Sequence, residues 1–176
     1  MQIIKIPHER VKALLGASGE TKDYLEQRMQ VTLTVDSDGA VVVSGEPLDE
    51  FIGKDIVKAI GRGFEPAVAL RLLSDEYGFR LIDLRDYGTS EKDIHRIKGR
   101  IIGEKGRTKE IIKEEVDAEV AIYGHTVGVV SKLETLDYAV EAIFKLIEGA
   151  NHATVYGYLE KRRRKIKEGE ISKLLR

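Results

Sequence analysis

The feature that most restricts the fold of this chain is an internal duplication. The segment 15–22, LGASGETK, aligns with 102–109, IGEKGRTK, at an offset of 87 residues. The same offset aligns VVS at 42–44 with VVS at 129–131 without a gap. Chance matches between apolar residues are common, but one register rarely persists over such a distance. We therefore interpret the 176-residue chain as two copies of one small module.

Each copy is predicted to follow the order β-α-α-β-β-α. In the first copy, apolar spacings of three and four residues indicate helices on both sides of Gly16–Gly19, and alternation at 31–35 indicates a strand. In the second copy, the segment 77–86 is predicted to be a strand with Phe79 and Leu81 facing inward, and Leu84 is a further candidate for the inner face.

These elements predict an α+β protein built from two docked modules. Each module is expected to hold a three-stranded antiparallel sheet packed against helices, with the first module at 1–75 and the second at 76–176. The segment 64–74 has helical apolar spacing, so we assign it to the first module as a connecting helix. The second module is predicted to end in a basic helix or tail.

Charge is distributed unevenly along the chain. The net charge is −1, but residues 1–75 hold 9 basic and 12 acidic side chains, whereas KRRRK at 161–165 is a run of cations. Polyanion binding is therefore predicted for the second half. The sequence has no Cys, which excludes disulfides, thiolate metal sites and a Cys nucleophile. Without a signal peptide or an apolar run of membrane-spanning length, a soluble cytoplasmic protein is expected.

The order of elements in the second copy, with IIGEKGRTKEII at 101–112 after its first helix, resembles the KH domain of RNA-binding proteins. In that domain a GXXG loop clamps the nucleic-acid backbone. Glycines without Cβ atoms let phosphates approach the main chain, and a helix that begins directly after the loop directs free amides and its positive dipole end at them. The loop is therefore predicted to bind the backbone of single-stranded RNA.

The second module is predicted to supply most of the RNA-binding residues. Ile101, Ile102, Val120 and Ile122 are expected to form the apolar floor of a groove that reads bases, beside a loop surrounded by cations. The predicted RNA-binding set is Arg100, Ile101, Ile102, Gly103, Glu104, Lys105, Gly106, Arg107, Lys109, Val120 and Ile122.

The first loop is chemically weaker than the second. Ala17 and Ser18 carry no charge, and Glu20 stands where the second copy has Arg107. Phosphate contact there and retention of the fold for packing or protein contact are both open interpretations. The secondary RNA-binding set comprises Gly16, Ala17, Ser18, Gly19 and Lys22 in the first loop, with Arg162, Arg163 and Arg164 in the tail.

The whole chain resembles the archaeal tandem-KH ribosome-biogenesis factors, the counterparts of the eukaryotic "partner of Nob" family. The resemblance rests on RDYG at 85–88, GRIIGEKGRTK at 99–109, VYGYL at 155–159 and the basic tail. It implies binding near the 3′ end of small-subunit rRNA during maturation. It also implies a Nob-type endonuclease and the initiation factor 2 alpha subunit as partners, with no membrane and no cofactor.

Three classes of function are weighed. The first is a non-catalytic single-stranded RNA-binding protein in ribosome assembly. The second is a KH-fold scaffold that docks nuclease or translation-factor partners and has little RNA affinity; its binding should depend less on salt. The third is an enzyme that holds nucleotide phosphates in its glycine loops. The sequence lacks G-x-x-x-x-G-K-[ST], a metal-binding carboxylate set and a nucleophile–base pair, so we predict no enzyme.

Overall fold

A computed structural model describes residues 1–175 of the chain. The first part of the chain forms a three-stranded antiparallel sheet covered on one face by helices, with the strand order β1-β3-β2. Its elements are β1 (Gln2–Lys5), α1 (His8–Leu15), α2 (Glu20–Met29), β2 (Val31–Val35), β3 (Ala40–Gly45) and α3 (Pro47–Gly61). This order confirms the predicted β-α-α-β-β-α module.

The second sheet has the same topology, with the order β4-β6-β5. Its elements are β4 (Tyr77–Asp83), α5 (Glu91–Ile102), α6 (Arg107–Val116), β5 (Glu119–Tyr123), β6 (Thr126–Lys132), α7 (Leu133–Ile147) and α8 (His152–Leu174). The α+β class with two KH-type modules is therefore confirmed. Among residues 1–175, no helix has both the length and the apolar character required to cross a bilayer.

Two predicted elements are shorter than expected. The segment 64–74 contains the short helix α4 (Pro66–Ala69) and a 3-10 turn at Leu70–Leu73 rather than one continuous helix. The strand predicted at 77–86 ends at Asp83, where the Asp83 carboxylate accepts a hydrogen bond from the Arg85 amide at 3.0 Å and caps a 3-10 turn. The predicted module boundary at 75/76 lies between the 3-10 turn at Leu70–Leu73 and β4. No observation tests this boundary, so it stays a prediction.

Each sheet has its own apolar core, and the back of the second sheet completes the first core. Val127 and Val129 face the helices of the second module, whereas Val130 and Ala121, on the opposite face, are buried in the core of the first. Phe79 lies on that back face as well, with its ring edge-on to Phe64 at a centroid distance of 6.1 Å. The two modules are therefore docked, as predicted.

The predicted orientation was wrong for Phe79 and Leu81 and correct for Leu84. Ile82 and Leu84 enter the core of the second module, while Phe79 packs against the core of the first. Since side chains alternate along a strand, Leu81 shares the face of Phe79. Both faces of this strand carry apolar residues, because the helices of the second module cover one face and the first module covers the other. The alternation of apolar residues therefore could not show which face points into the second module.

Candidate nucleic-acid interface

The loop between α5 and α6 depends on two glycines with different roles. Gly103 has a φ of 76°, and a Cβ there would lie 2.1 Å from Thr108 Oγ1 and 2.7 Å from the Thr108 nitrogen. Gly106, with a φ of 79°, faces open space. Lys105 between them has a φ of 51°, a left-handed conformation that is uncommon for a side chain of this type. Gly103 therefore permits close packing, and Gly106 leaves the approach to the backbone open.

Cations surround this open backbone. Helix α6 begins at Arg107, directly after the loop, so its first amides and the positive end of its dipole lie beside Gly106. Lys105 and Arg107 are exposed. Arg107 Nη1 lies 3.5 Å from Glu110 Oε2 and 3.6 Å from Glu114 Oε1, and exposed pairs of this length contribute little free energy. The guanidinium is therefore available to a phosphate at small cost.

One face of α5 leads from the loop to the β5–β6 turn. His95, Lys98, Gly99 and Ile102 share this face by their spacing of three and four residues. Lys98 Nζ donates to the Gly124 carbonyl oxygen at 2.9 Å and so joins α5 to the β5–β6 turn. A Cβ at Gly99 would meet open space. The sequence analysis did not include Lys98 in the candidate interface. Its spacing of four residues from Ile102, which places both on one helix face, could have identified it.

Two residues of the predicted RNA-binding set have structural roles instead. Arg100 Nε donates to the Leu146 carbonyl oxygen at 3.0 Å, and its Nη2 donates to the Ala150 carbonyl, so the guanidinium caps the C-terminal end of α7. Ile101 is 0% exposed and belongs to the core. The predictions that Arg100 provides a free cation and that Ile101 lines the groove were wrong, because each side chain points into its own module.

The accessible apolar floor is narrower than predicted. Ile102 is 37% exposed and Ile122 is half-buried, whereas Val120 is only 7% exposed and packs in the core. Contact with a base is therefore predicted for Ile102 and Ile122. The roles of Glu104, Lys105, Arg107 and Lys109 in RNA binding stay predictions.

The first loop is closed by its own helix. Glu20 Oε1 accepts from the Ala17 amide at 2.9 Å, and Oε2 accepts from the Ser18 amide at 2.7 Å and the Ser18 hydroxyl at 2.9 Å. Hydrogen bonds from the Ser18 amide, then from its own amide and that of Ala17, lower the pKa of Glu20 to about 2. An ionised carboxylate therefore lies over the amides of Gly16–Gly19. At the aligned position, Arg107 has no acceptor atom and cannot close the second loop in this way.

The tail is a helix that packs on the second module. Val155 and Leu159 of α8 are fully buried. Arg162 Cζ lies 5.0 Å from the ring centres of Tyr138 and Tyr158, while Nη1 of Arg163 is 3.2 Å from Glu115 Oε1. Arg164 also has a partner, Glu160, at 2.6 Å, so all three predicted arginines have contacts within the protein. Exposed cations remain on α8 at Lys161, Lys165, Lys167 and Lys173.

The described part of the chain contains no candidate metal site. Within residues 1–175, no three His, Asp or Glu side chains are grouped so that they could hold an ion. The candidate interface of the second module consists of backbone amides, lysines, arginines and two partly exposed isoleucines. This arrangement can bind a phosphate backbone and contact bases, and it presents no reacting group.

Comparison with known proteins gives consistent matches. Residues 78–164 match the eukaryotic-type KH domain, KH-domain type I, in its second-domain PNO1 form. A KH domain-containing protein of Methanocaldococcus jannaschii is 43% identical over 176 residues, which cover 97% of this chain and 78% of the relative. The pre-rRNA-processing protein pno1 of Aspergillus fumigatus is 38% identical over 120 residues, and the match spans about half of that protein, 47%.

Solved structures show the same similarity in three dimensions. The crystal structure of Dim2p from Pyrococcus horikoshii has a TM-score of 0.85 and 40% identity, and the match covers 91% of this chain and 98% of that one. A chain in the crystal structure of an a/eIF2alpha–aDim2p–rRNA complex from the same organism has a TM-score of 0.86 and 39% identity, with coverage of 93% and 94%.

Proposed function

The chain belongs to the PNO1-type KH-domain family, and from this membership we propose that it binds single-stranded RNA near the 3′ end of small-subunit rRNA during ribosome assembly. The family includes proteins named as pre-rRNA-processing factors and is not a family of enzymes. The second module clamps the RNA backbone with the loop Gly103–Gly106, and Ile102 and Ile122 contact bases in the groove beside it. The protein acts in the cytoplasm without catalysis of its own.

The observation that carries this proposal is the contrast between the two loops. Both have the same glycine spacing, but the amides of Ala17 and Ser18 bond the Glu20 carboxylate, whereas the second loop has Arg107 at that position. A phosphate approaching the first loop would displace a bound carboxylate and meet its negative charge. At the second loop it would meet Lys105 and Arg107. RNA binding is therefore assigned to the second module.

A solved structure of a relative supports one of the two proposed protein partners. The matched Pyrococcus complex contains the initiation factor 2 alpha subunit together with Dim2p and rRNA. We propose the initiation factor 2 alpha subunit and a Nob-type endonuclease as partners of this chain. A purely protein-binding scaffold is the alternative function. It is favoured for the first module by the occupied loop and by the excess of 12 acidic over 9 basic residues in 1–75.

The decisive experiment lowers the net charge of each loop by two, one loop at a time. Glu104→Asp with Lys105→Asp should weaken binding of an oligonucleotide with the rRNA 3′ sequence at least tenfold, while Ala17→Asp with Ser18→Asp should change it less than twofold. Aspartate tolerates the left-handed backbone at position 105, so the fold should survive, and thermal unfolding checks this. The reverse pattern would assign the clamp to the first module. Little RNA affinity and a flat salt dependence in the unaltered protein would favour the scaffold.

A further inference from the structure

The duplication provides an internal template for a surface that the first module leaves open. Helix α2 aligns with α6 at the offset of 87 residues, so that Thr21, Tyr24 and Arg28 correspond to Thr108, Ile111 and Glu115. Spacings of three and four residues place these positions on one face of each helix. The two faces can therefore be compared position by position.

In the second module this face is covered by α8. Thr108 Oγ1 lies 2.8 Å from the Tyr156 hydroxyl, and Glu115 Oε1 lies 3.2 Å from Arg163 Nη1. Thr108 is fully buried, and Ile111 packs against the core. The face of α6 thus accepts a helix through a hydroxyl contact at one end, apolar packing in the middle and an ion pair at the other end.

In the first module the covering element ends early. At the same offset, 65–73 corresponds to 152–160, the first turns of α8, and it forms α4 and the 3-10 turn. The chain then turns into β4 instead of continuing as a helix. Within residues 1–175, no helix occupies the place of the α8 turn that carries Arg163, and Tyr24 and Arg28 on the C-terminal part of the α2 face are exposed.

The open face has the composition of a protein-binding site. Tyr24 is 48% exposed, and Arg28 Nη1 bonds its hydroxyl at 3.0 Å. Together with Thr21, Ala67 and Leu70 they line a cleft of about 710 Å³ between α2 and α4. Tyrosine and arginine are the residue types that most often carry binding energy at protein interfaces.

We propose that this cleft is a docking site for one amphipathic helix of a partner protein, seated beside α4 on the C-terminal part of α2, where α8 continues along α6 in the second module. The charge is inverted relative to the second module, since Arg28 stands where Glu115 bonds Arg163. The docking helix therefore presents a carboxylate to Arg28 and apolar side chains, three or four residues apart, to Tyr24 and Leu70. Glu20 and Glu65 line the cleft together with Arg28 and Arg71, so it has no excess of cations to attract a phosphate backbone.

The test rests on the partners given under the proposed function and uses the full chain. The purified initiation factor 2 alpha subunit and the Nob-type endonuclease are titrated separately by calorimetry into the unaltered protein, Tyr24→Ala, Arg28→Glu and the control Lys5→Glu, which makes the same charge change on β1. We expect both cleft variants to bind one of the two proteins at least tenfold more weakly, the control to stay within twofold, and rRNA affinity to be unchanged for all.

A second arm identifies the occupant. With p-benzoylphenylalanine in place of Tyr24, photo-cross-linking to the bound protein should map to a helical segment, and changing its carboxylate to lysine should restore binding to Arg28→Glu. Equal binding of both proteins to all variants, or cross-links to RNA or to a second copy of the chain, would overturn the inference. So would no binding of either protein to the unaltered chain, while RNA binding by the same sample would leave the RNA function standing.

Discussion

The two modules have the same order of strands and helices, but the side chains beside their glycine loops differ in the sign of their charge. Glu20 in the first module binds the loop amides itself, and Arg107 in the second leaves them to another acceptor. The same fold therefore holds either a closed or an open anion-binding loop. The glycines have positive φ in both loops, whereas a central residue is left-handed only in the second, at Lys105. We therefore expect the first residue of the next helix, rather than the GXXG spacing, to decide whether a loop can receive a phosphate.

A second comparison shows what the duplication has kept. Arg10 Nε donates to the Ile60 carbonyl at 2.9 Å, and its Nη2 donates to the Phe64 carbonyl at 2.8 Å, as Arg100 does for Leu146 and Ala150. The two arginines are not aligned, because position 10 corresponds to 97, about one helical turn before Arg100. Capping of the third helix is thus retained although the residue has moved, while the chemistry of the loop has diverged.

The largest expected effect concerns the first glycine of each loop. Gly103→Ala should lower the free energy of unfolding by about 4 kcal/mol and Gly16→Ala by about 2 kcal/mol, since both positions have strained backbones for other residues. At Gly103 the added carbon meets the backbone nitrogen of Thr108 at 2.7 Å, whereas at Gly16 it meets the side-chain ends of Thr21 and Glu20, which can move. Urea unfolding measures both, and equal losses would contradict this difference.

Swapping the charges of Arg107 and Glu20 should shift part of the RNA affinity from the second loop to the first. Arg107→Glu should weaken RNA binding about tenfold, or about 1.4 kcal/mol, because the new carboxylate can accept the loop amides as Glu20 does. Glu20→Arg should strengthen binding about threefold by opening a second clamp. Fluorescence anisotropy with an rRNA 3′ oligonucleotide checks both, and Lys5→Glu, which makes the same charge change as Arg107→Glu on the exposed side of β1, serves as the control. Unchanged affinity in Arg107→Glu would refute the role of this position.

The closed loop should also make the stability of the first module depend on pH. The folded-state pKa of Glu20 is about 2, below its ordinary value of 4.5, so its stabilising contribution is complete above about 4.5 and is lost as the pH falls toward 2. Glu20→Gln removes this dependence. The difference in urea midpoint between the two proteins should therefore shrink from pH 6 to pH 2. A constant difference over that range would show that the loop amides do not lower the pKa of Glu20 in the folded protein.

The smallest effect is expected for the exposed lysines of α8. Replacing Lys161, Lys165 and Lys167 with Gln leaves the buried face and the paired arginines intact, so the helix should remain folded. Binding to all single strands should weaken about twofold to threefold, and the salt dependence should become less steep, because fewer counterions are released. The rank order of RNA sequences should not change. A changed order would mean that α8 contacts bases.

The sequence predicted what is local and missed what depends on tertiary contacts. The repeat, the order of elements and both loops follow from spacing and residue type, and all are present in the structure. Closure of the first loop was also encoded locally, since Glu20 lies three residues after Ala17. The role of Arg100 was not, because its acceptors at Leu146 and Ala150 are close only after α7 has packed. The outward face of Phe79 likewise becomes buried only when the modules meet.

The apolar contact between the two modules makes the second module depend on the first. A Cβ at Gly128 would lie 2.7 Å from Phe64 Cε2, and Val130 and Ala121 of the second sheet are buried in the first core. A second module released from residues 1–75 would therefore expose an apolar sheet face to water and be prone to aggregate. The first module therefore keeps this apolar face covered, whether or not its own loop binds an anion.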